Sequence, residues 1–139
     1  MSKTKTLTDL SISSIVYSDF FTDFSRHTNT GQLNKKTNEL AVKQAVRNLL
    51  LTDHYERPFQ PRIGSNLRSL LFDNFTPATV LEAEEHIKEV FENHEPRAAL
   101  LDTVISPAPD MNSLQVSIYF RIINTTEPSQ LDIIVERVR

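Results

Sequence analysis

The spacing of apolar residues changes once along this sequence, close to Pro96, and that change limits the folds open to the chain. Before Pro96, apolar residues recur every three or four positions, which is typical of helices with one buried face. After it, the even-numbered positions from Leu114 to Ile122 are apolar and alternate with mostly polar ones, the pattern of a half-buried strand. Because the helical segments precede the strands, the sequence predicts an α+β domain.

Three helices are predicted before Pro96. The first covers residues 38–51, and the second is a shorter apolar stripe over residues 63–74. The third begins at Thr76-Pro77, because a threonine side chain can cap the first amides and a proline at the first helical position lacks an N–H group that would be unpaired anyway. It should end near Asn93, since Pro96 prevents its continuation.

Three strands are predicted after Pro96. Residues 98–106 and 130–138 are strand-like and flank the alternating segment, and the connections at residues 107–112 and 124–128 are short. Connections of this length favour antiparallel neighbours. The expected architecture is an N-terminal extended arm, three helices and a C-terminal three-stranded antiparallel β-meander.

The start of the chain has the composition of an arm. Residues 1–30 include twelve serines and threonines, and their one dense apolar group is the aromatic set from Tyr17 to Phe24. We therefore expect an extended arm over residues 1–33 with aromatic anchors, followed by a single domain over residues 34–139. The anchors either cap the core of that domain or dock on a partner.

Charge and composition disfavour several classes of partner. The fifteen lysines and arginines are spread among eighteen acidic residues, so no basic patch indicates nucleic-acid binding. The first ten residues contain no apolar run of the length that a signal peptide or a membrane span needs. The absence of cysteine excludes disulfides and thiolate metal sites, and it fits a protein made in a reducing cytoplasm.

No catalytic, cofactor-binding or metal-binding residue is predicted. Glycine occurs only at Gly31 and Gly64, which excludes the G-x-S-x-G elbow of hydrolases and the glycine-rich loops that bind phosphates. No two histidines have the i, i+4 spacing that lets both bind one metal. The glutamates of the third helix lie mostly off its apolar stripe, where they are ordinary solvated acids and not the pair a glycosidase needs.

The Glu95-Pro96-Arg97 motif is the first candidate for partner recognition. It lies where the third helix ends and the sheet begins, so a rigid residue separates two opposite charges at a defined corner. An arginine held there can form bidentate bonds with a carboxylate of a partner. The alternative is an internal ion pair or a cap of the helix end.

The second candidate is the connector between the first two helices. In Arg57-Pro58-Phe59-Gln60-Pro61 two prolines fix the backbone and remove two amide donors, which makes the segment stiff. We expect Arg57, Pro58 and Phe59 to contact a partner.

In this order the motifs resemble the small baseplate wedge subunits of contractile-tail phages, a family that shares its fold with a baseplate component of type VI secretion systems. The matching elements are residues 41–52, residues 56–61 with Gly64, residues 71–77 and residues 95–97. The resemblance covers about residues 15–138. Arg62 departs from it, because many relatives carry an acidic residue there, so a charge contact at this position is absent or reversed.

The resemblance implies a structural subunit and not an enzyme. It implies that Glu95, Pro96 and Arg97 contact the core bundle of long wedge proteins, and that the C-terminal sheet offers an edge to arms of the tail sheath protein. The subunit would thereby template the first sheath ring. Central hub or tube proteins are further expected partners, whereas nucleic acid and membranes are not. The expected location is the tail baseplate of the virion, after assembly in the cytoplasm of the bacterial host.

Two alternatives stay open. The same contacts would suit a baseplate component of a type VI secretion system. Some members of the family have been labelled lysozyme-like, so a cell-wall glycosidase that uses glutamates of the third helix is the other alternative.

Overall fold

The computed structural model describes residues 17–123 and 125–136. In chain order the helices and strands of this part are β1 (Ser18–Phe20), β2 (Lys35–Thr37), α1 (Asn38–Leu51), α2 (Pro77–His94), β3 (Ala98–Ala108), β4 (Ser113–Ile122) and β5 (Pro128–Glu136). Short 3-10 helices occur at Ser69–Phe72 and Pro109–Met111.

The C-terminal strands form an antiparallel sheet in the order β3-β4-β5. Ile118 of β4 pairs with Thr103 of β3 on one side and with Leu131 of β5 on the other. Alternate residues of β4 are buried, and Phe120 meets Phe91 of α2 with ring centroids 5.7 Å apart. The α+β class and the three-stranded meander are therefore confirmed, although positions 137 and 138 of the predicted last strand lie outside the described residues.

Helix α1 has the predicted bounds, and α2 begins at the predicted cap. The amide of Thr79 donates to Oγ1 of Thr76 at 3.3 Å, the amide of Thr76 donates to Oγ1 of Thr79 at 3.4 Å, and Pro77 occupies the first turn. These bonds satisfy amides that a helix leaves unpaired at its start. Helix α2 ends at His94, just before Glu95 and Pro96.

The prediction of three helices was wrong. Residues 63–74 contain a single 3-10 turn and no α-helix, because Gly64 and Asn66 both have positive φ angles and Asp73 is extended. Too few residues remain between Asn66 and Asp73 for a stable α-helix. The apolar stripe still has its expected role, since Leu67 and Leu70 are both buried. A spacing of three residues places side chains on one face of a 3-10 turn as well as of an α-helix.

The prediction of one sheet behind an extended arm was also incomplete. Strands β1 and β2 form a second, two-stranded antiparallel sheet that packs against α1, where Nε2 of Gln44 donates to the carbonyl oxygen of Phe20 at 2.7 Å. Tyr17 packs against the core, whereas Phe24 is exposed. Residues 1–16 of the predicted arm lie outside the described residues, and the division at residue 33 stays a prediction.

The loop between α1 and the 3-10 helix is closed at its base by Gly64. The amide of Ser65 donates to the carbonyl oxygen of Thr52 at 3.0 Å, and Oγ of Ser65 donates to the carbonyl oxygen of Leu50 at 2.6 Å. A Cβ atom on Gly64 would overlap the carbonyl oxygen of Thr52, and the φ angle of +133° is one that other residues rarely adopt. Glycine is therefore required where the backbone of residue 64 approaches that of Thr52.

We predict that Gly64→Ala lowers the free energy of unfolding by about 3 kcal/mol or more, because it adds a backbone overlap to a strained φ angle. Gly31→Ala is the matched control. Gly31 also has a positive φ angle but nothing within 4 Å of an added Cβ atom, so this change should cost about 1 kcal/mol. Urea denaturation of both variants measures the difference, and equal losses would contradict the argument.

Candidate partner-binding surfaces

The corner between α2 and β3 is built around a buried carboxylate. Glu95 is only 2% exposed, and its two oxygens accept bonds from Nε of Arg97 at 2.6 Å and from Nη2 of Arg97 at 2.8 Å. The chain turns between them, with the amide of Ala98 donating to the carbonyl oxygen of Glu95 at 3.2 Å. Pro96 lies at the second position of this turn, which its fixed φ angle suits.

The guanidinium of Arg97 also contacts the N-terminal segment. Its central carbon lies 5.5 Å from the ring centroid of Tyr17, a cation–π geometry. The bonds to Glu95 raise the pKa of Arg97 above its ordinary value, and partial burial opposes this shift without reversing it. The arginine therefore stays charged and joins three parts of the chain: the segment before β1, the end of α2 and the start of β3.

The internal ion pair that the sequence left as an alternative is thus present. Arg97 remains a third exposed, however, and Pro96 is exposed beside it. The bonds to Glu95 use the donors on Nε and Nη2, which leaves Nη1 for other acceptors. An outward contact through Pro96 and Arg97 is compatible with the internal pair and stays a prediction.

The connector lies next to this corner. Arg57, Pro58 and Phe59 are all exposed, and their contact with a partner stays a prediction. Nε2 of His94 lies 3.1 Å from the carbonyl oxygen of Arg62, so the last residue of α2 contacts the end of the connector. The link was not predicted from the sequence, because the two residues are 32 positions apart.

The two edges of the C-terminal sheet differ in how well their inner sides are covered. Helix α1 packs along β5, where Ile133 and Val135 are buried. Along β3 the inward residues Leu100, Thr103 and Ile105 are only half-buried. A groove of about 720 Å³ runs between α2 and the first half of β3.

The groove has an apolar floor and an acidic rim. Leu81 of α2 and Leu101 of β3 are exposed within it, and the ladder between β3 and β4 is irregular at Leu101. The charged residues that line it are Glu84, Glu85, Lys88, Glu92 and Asp102. Four carboxylates therefore face a single ammonium group, that of Lys88. Its Nζ lies 3.8 Å from Oε1 of Glu92.

The geometry offers little to a glycosidase. The glutamates of α2 are exposed apart from Glu84, which is half-buried. Glu95 is the one buried carboxylate among the described residues, and both of its oxygens accept bonds from Arg97. A general acid must instead present a protonated carboxyl group to the substrate.

The described residues contain no group of three or more histidine and carboxylate side chains placed to hold a metal ion. No helix among them combines the length and the apolar character needed to cross a bilayer.

Comparisons with known proteins agree with this geometry. The family described as baseplate wedge protein gp25 matches residues 36–127. Baseplate wedge protein gp25 of Enterobacteria phage T4 is 32% identical over 87 residues, which cover 63% of this chain and 66%, just under two thirds, of the T4 protein. A chain of the anti-feeding prophage baseplate superposes with a TM-score of 0.68 at 26% identity, covering 80% of this chain and 89% of that one.

A third similar protein has a different name. A Geobacter sulfurreducens protein provisionally named a tail lysozyme superposes with a TM-score of 0.63 at 24% identity, covering 70% of this chain and 89% of that one. At this identity the likeness shows the fold alone.

The family match spans both α-helices, the corner and the first two strands of the C-terminal sheet. The fold and this match define a baseplate protein. The chain belongs to the gp25 baseplate wedge family, and the resemblance drawn from its motifs is confirmed.

We predict that Arg97→Ala lowers the free energy of unfolding by about 3 kcal/mol, because it leaves the buried carboxylate of Glu95 without a partner. The double variant Glu95→Gln with Arg97→Ala should regain part of this loss, since a neutral amide is easier to bury than an unpaired charge. Urea denaturation at neutral pH measures both. A double variant no more stable than Arg97→Ala would show that the ion pair does not hold the corner.

Proposed function

We propose that this chain is a structural subunit of a contractile-tail baseplate wedge, and not an enzyme. It attaches to the core bundle of the wedge through the Glu95-Pro96-Arg97 corner, and its C-terminal sheet accepts a strand from the tail sheath protein. That strand starts the first sheath ring. The observation that carries the proposal is the open edge of β3, whose inner side chains are only half-covered.

The corner suits attachment because its charge is held in place before any partner arrives. Arg97 is fixed by two bonds to Glu95 and by the ring of Tyr17, so little side-chain entropy is lost when Nη1 binds an acceptor. Pro96 keeps the turn rigid. A preorganised arginine is well suited to a carboxylate or to carbonyl groups at the end of a helix in the wedge bundle.

The edge of β3 suits strand addition for two reasons. An edge strand carries unpaired N–H and C=O groups that can bind an added strand. The groove beside β3 also leaves room for the side chains of that strand to cover Leu100 and Thr103. The edge of β5 offers no such space, since α1 covers its inner side.

The proposed location follows from these partners. The chain would lie in the tail baseplate of the virion, with wedge proteins on one side and sheath on the other, after assembly in the host cytoplasm. Hub or tube proteins are further candidates for the remaining surface. A type VI secretion baseplate would need the same contacts, and the genes neighbouring this one distinguish the two machines.

We predict that Pro96→Glu weakens attachment to co-expressed wedge-bundle proteins by about tenfold or more, because the new carboxylate neutralises Arg97 and repels an acidic acceptor. Pro96 is exposed, so the free energy of unfolding should change by no more than about 1 kcal/mol. Pro96→Ala is the control and should still attach. Co-purification measures attachment, and normal attachment of Pro96→Glu would contradict the role of the corner.

We predict that Leu101→Lys leaves the chain in the baseplate but lowers the fraction of baseplates that carry sheath by about tenfold or more. A lysine on an edge strand obstructs the addition of another strand. Ile134→Lys on β5 is the matched control, because Ile134 is 56% exposed and Leu101 is 52% exposed. Electron microscopy counts sheathed tails, and a defect in the control instead would assign the contact to β5.

A further inference from the structure

The loop of residues 53–63, called the aromatic loop below, exposes two large rings to solvent. Tyr55 is 84% exposed and the side chain of Phe59 is fully exposed. Solvated aromatic rings forgo the burial that stabilises such residues elsewhere. Aromatic side chains are also the residues that most often dominate protein interfaces.

Both aromatic residues lie on an unusual backbone. Tyr55 has a φ angle of 68° and Phe59 one of 66°, which are left-handed values that bulky residues seldom adopt. The amide of Tyr55 donates to the carbonyl oxygen of Pro61 at 2.9 Å. The amide of Gln60 donates to the carbonyl oxygen of Arg57 at 3.3 Å. Strain of this kind concentrates at functional sites, where the surrounding structure maintains it.

The base of the aromatic loop is fixed as well. Ser65 and Gly64 close it against Thr52, and Arg62 contacts His94 of α2. A loop whose backbone is already fixed loses little backbone freedom on binding. The loop is therefore suited to insert its rings into a partner without rearrangement.

The aromatic loop contains two acidic residues and two arginines, and only one acid has a cationic partner. Oδ2 of Asp53 lies 3.8 Å from Nη1 of Arg68, whereas Glu56 is exposed and its carboxylate accepts a bond from the amide of Asp53 at 2.9 Å. Arg57 and Arg62 are exposed and make no ion pair among the described residues. The loop thus presents two rings together with two cations.

We infer that the aromatic loop docks in an apolar pocket with an acidic rim on another protein of the baseplate. Phe59 and Tyr55 enter the pocket, and Arg57 and Arg62 face its carboxylates. This inference rests on the proposed place of the chain in a baseplate, but it does not depend on the corner or on β3. The acidic groove of a second copy is not the occupant, because the proposed sheath strand fills it.

A photo-crosslinker tests the contact directly. The phenylalanine analogue p-benzoylphenylalanine replaces Phe59 in one variant. In the control it replaces Phe24, which is also exposed but lies in the loop between β1 and β2. Assembled particles that contain each variant are irradiated, and the crosslinked peptides are identified by mass spectrometry. Phe59 should crosslink to one baseplate protein at a peptide that combines apolar and acidic residues.

Other results overturn the inference. They are no crosslink from position 59, a crosslink to a second copy of this chain, a crosslink to nucleic acid, or equal labelling of the same protein from position 24. Urea denaturation of the isolated variants confirms that the substitution leaves the fold intact, as expected for a fully exposed ring.

A charge reversal tests the rim. The double variant Arg57→Glu with Arg62→Glu should lower the number of copies per particle by about tenfold or more, and the loss should shrink as salt is raised during assembly. Arg47→Glu with Arg121→Glu reverses two exposed arginines elsewhere and should assemble normally. Equal losses in both double variants would overturn the role of these two arginines.

The corner proposal fails separately from this one. If Pro96→Glu attaches normally while position 59 crosslinks as expected, the corner contact is excluded and the aromatic loop contact stands. If Pro96→Glu detaches, and the crosslinker at position 59 of an otherwise unchanged chain gives no crosslink, the aromatic loop contact is excluded and the corner contact stands.

Discussion

The ion pair between the buried Glu95 and the partly exposed Arg97 is the interaction on which the rest of this structure depends. It occurs where the helical half of the chain becomes the sheet, and it fixes the direction in which β3 leaves α2. A carboxylate buried this deeply is tolerated only with a fully bonded partner. Because Tyr17 packs on the same arginine, the N-terminal segment is tied to the same point.

Uneven coverage of the sheet follows from this arrangement. The two helices cross one face of three strands, and α1 covers β5 while α2 leaves part of β3 open. In an isolated chain the half-buried side chains of β3 retain contact with water, so the core is incomplete at one border. A subunit whose core is completed by a partner gains stability on assembly, since any ligand that binds the folded state alone shifts the folding equilibrium.

The spacing of apolar residues predicted α1, α2 and the β4 strand well, because each buries one face and period alone distinguishes helix from strand. It failed at residues 63–74, where Gly64 and Asn66 override an apolar stripe, and at β1 and β2, which are too short to show a period.

The corner was located from its residue types. Its burial was not predictable, since the depth of Glu95 depends on how α2 and β3 pack. The link between His94 and Arg62 joins residues 32 positions apart, and no local pattern reports such a contact.

That link has a consequence for recognition. Because His94 ends α2 one residue before Glu95 and also contacts the aromatic loop, the corner and the loop are held at a fixed separation. If both bind a neighbour as proposed, the one that binds first places the other at an effective concentration that can reach about the millimolar range, so the two contacts together give avidity. A protein that matched only one of them would gain no avidity. The spacing of two modest sites can therefore select the correct neighbour more sharply than either site could alone.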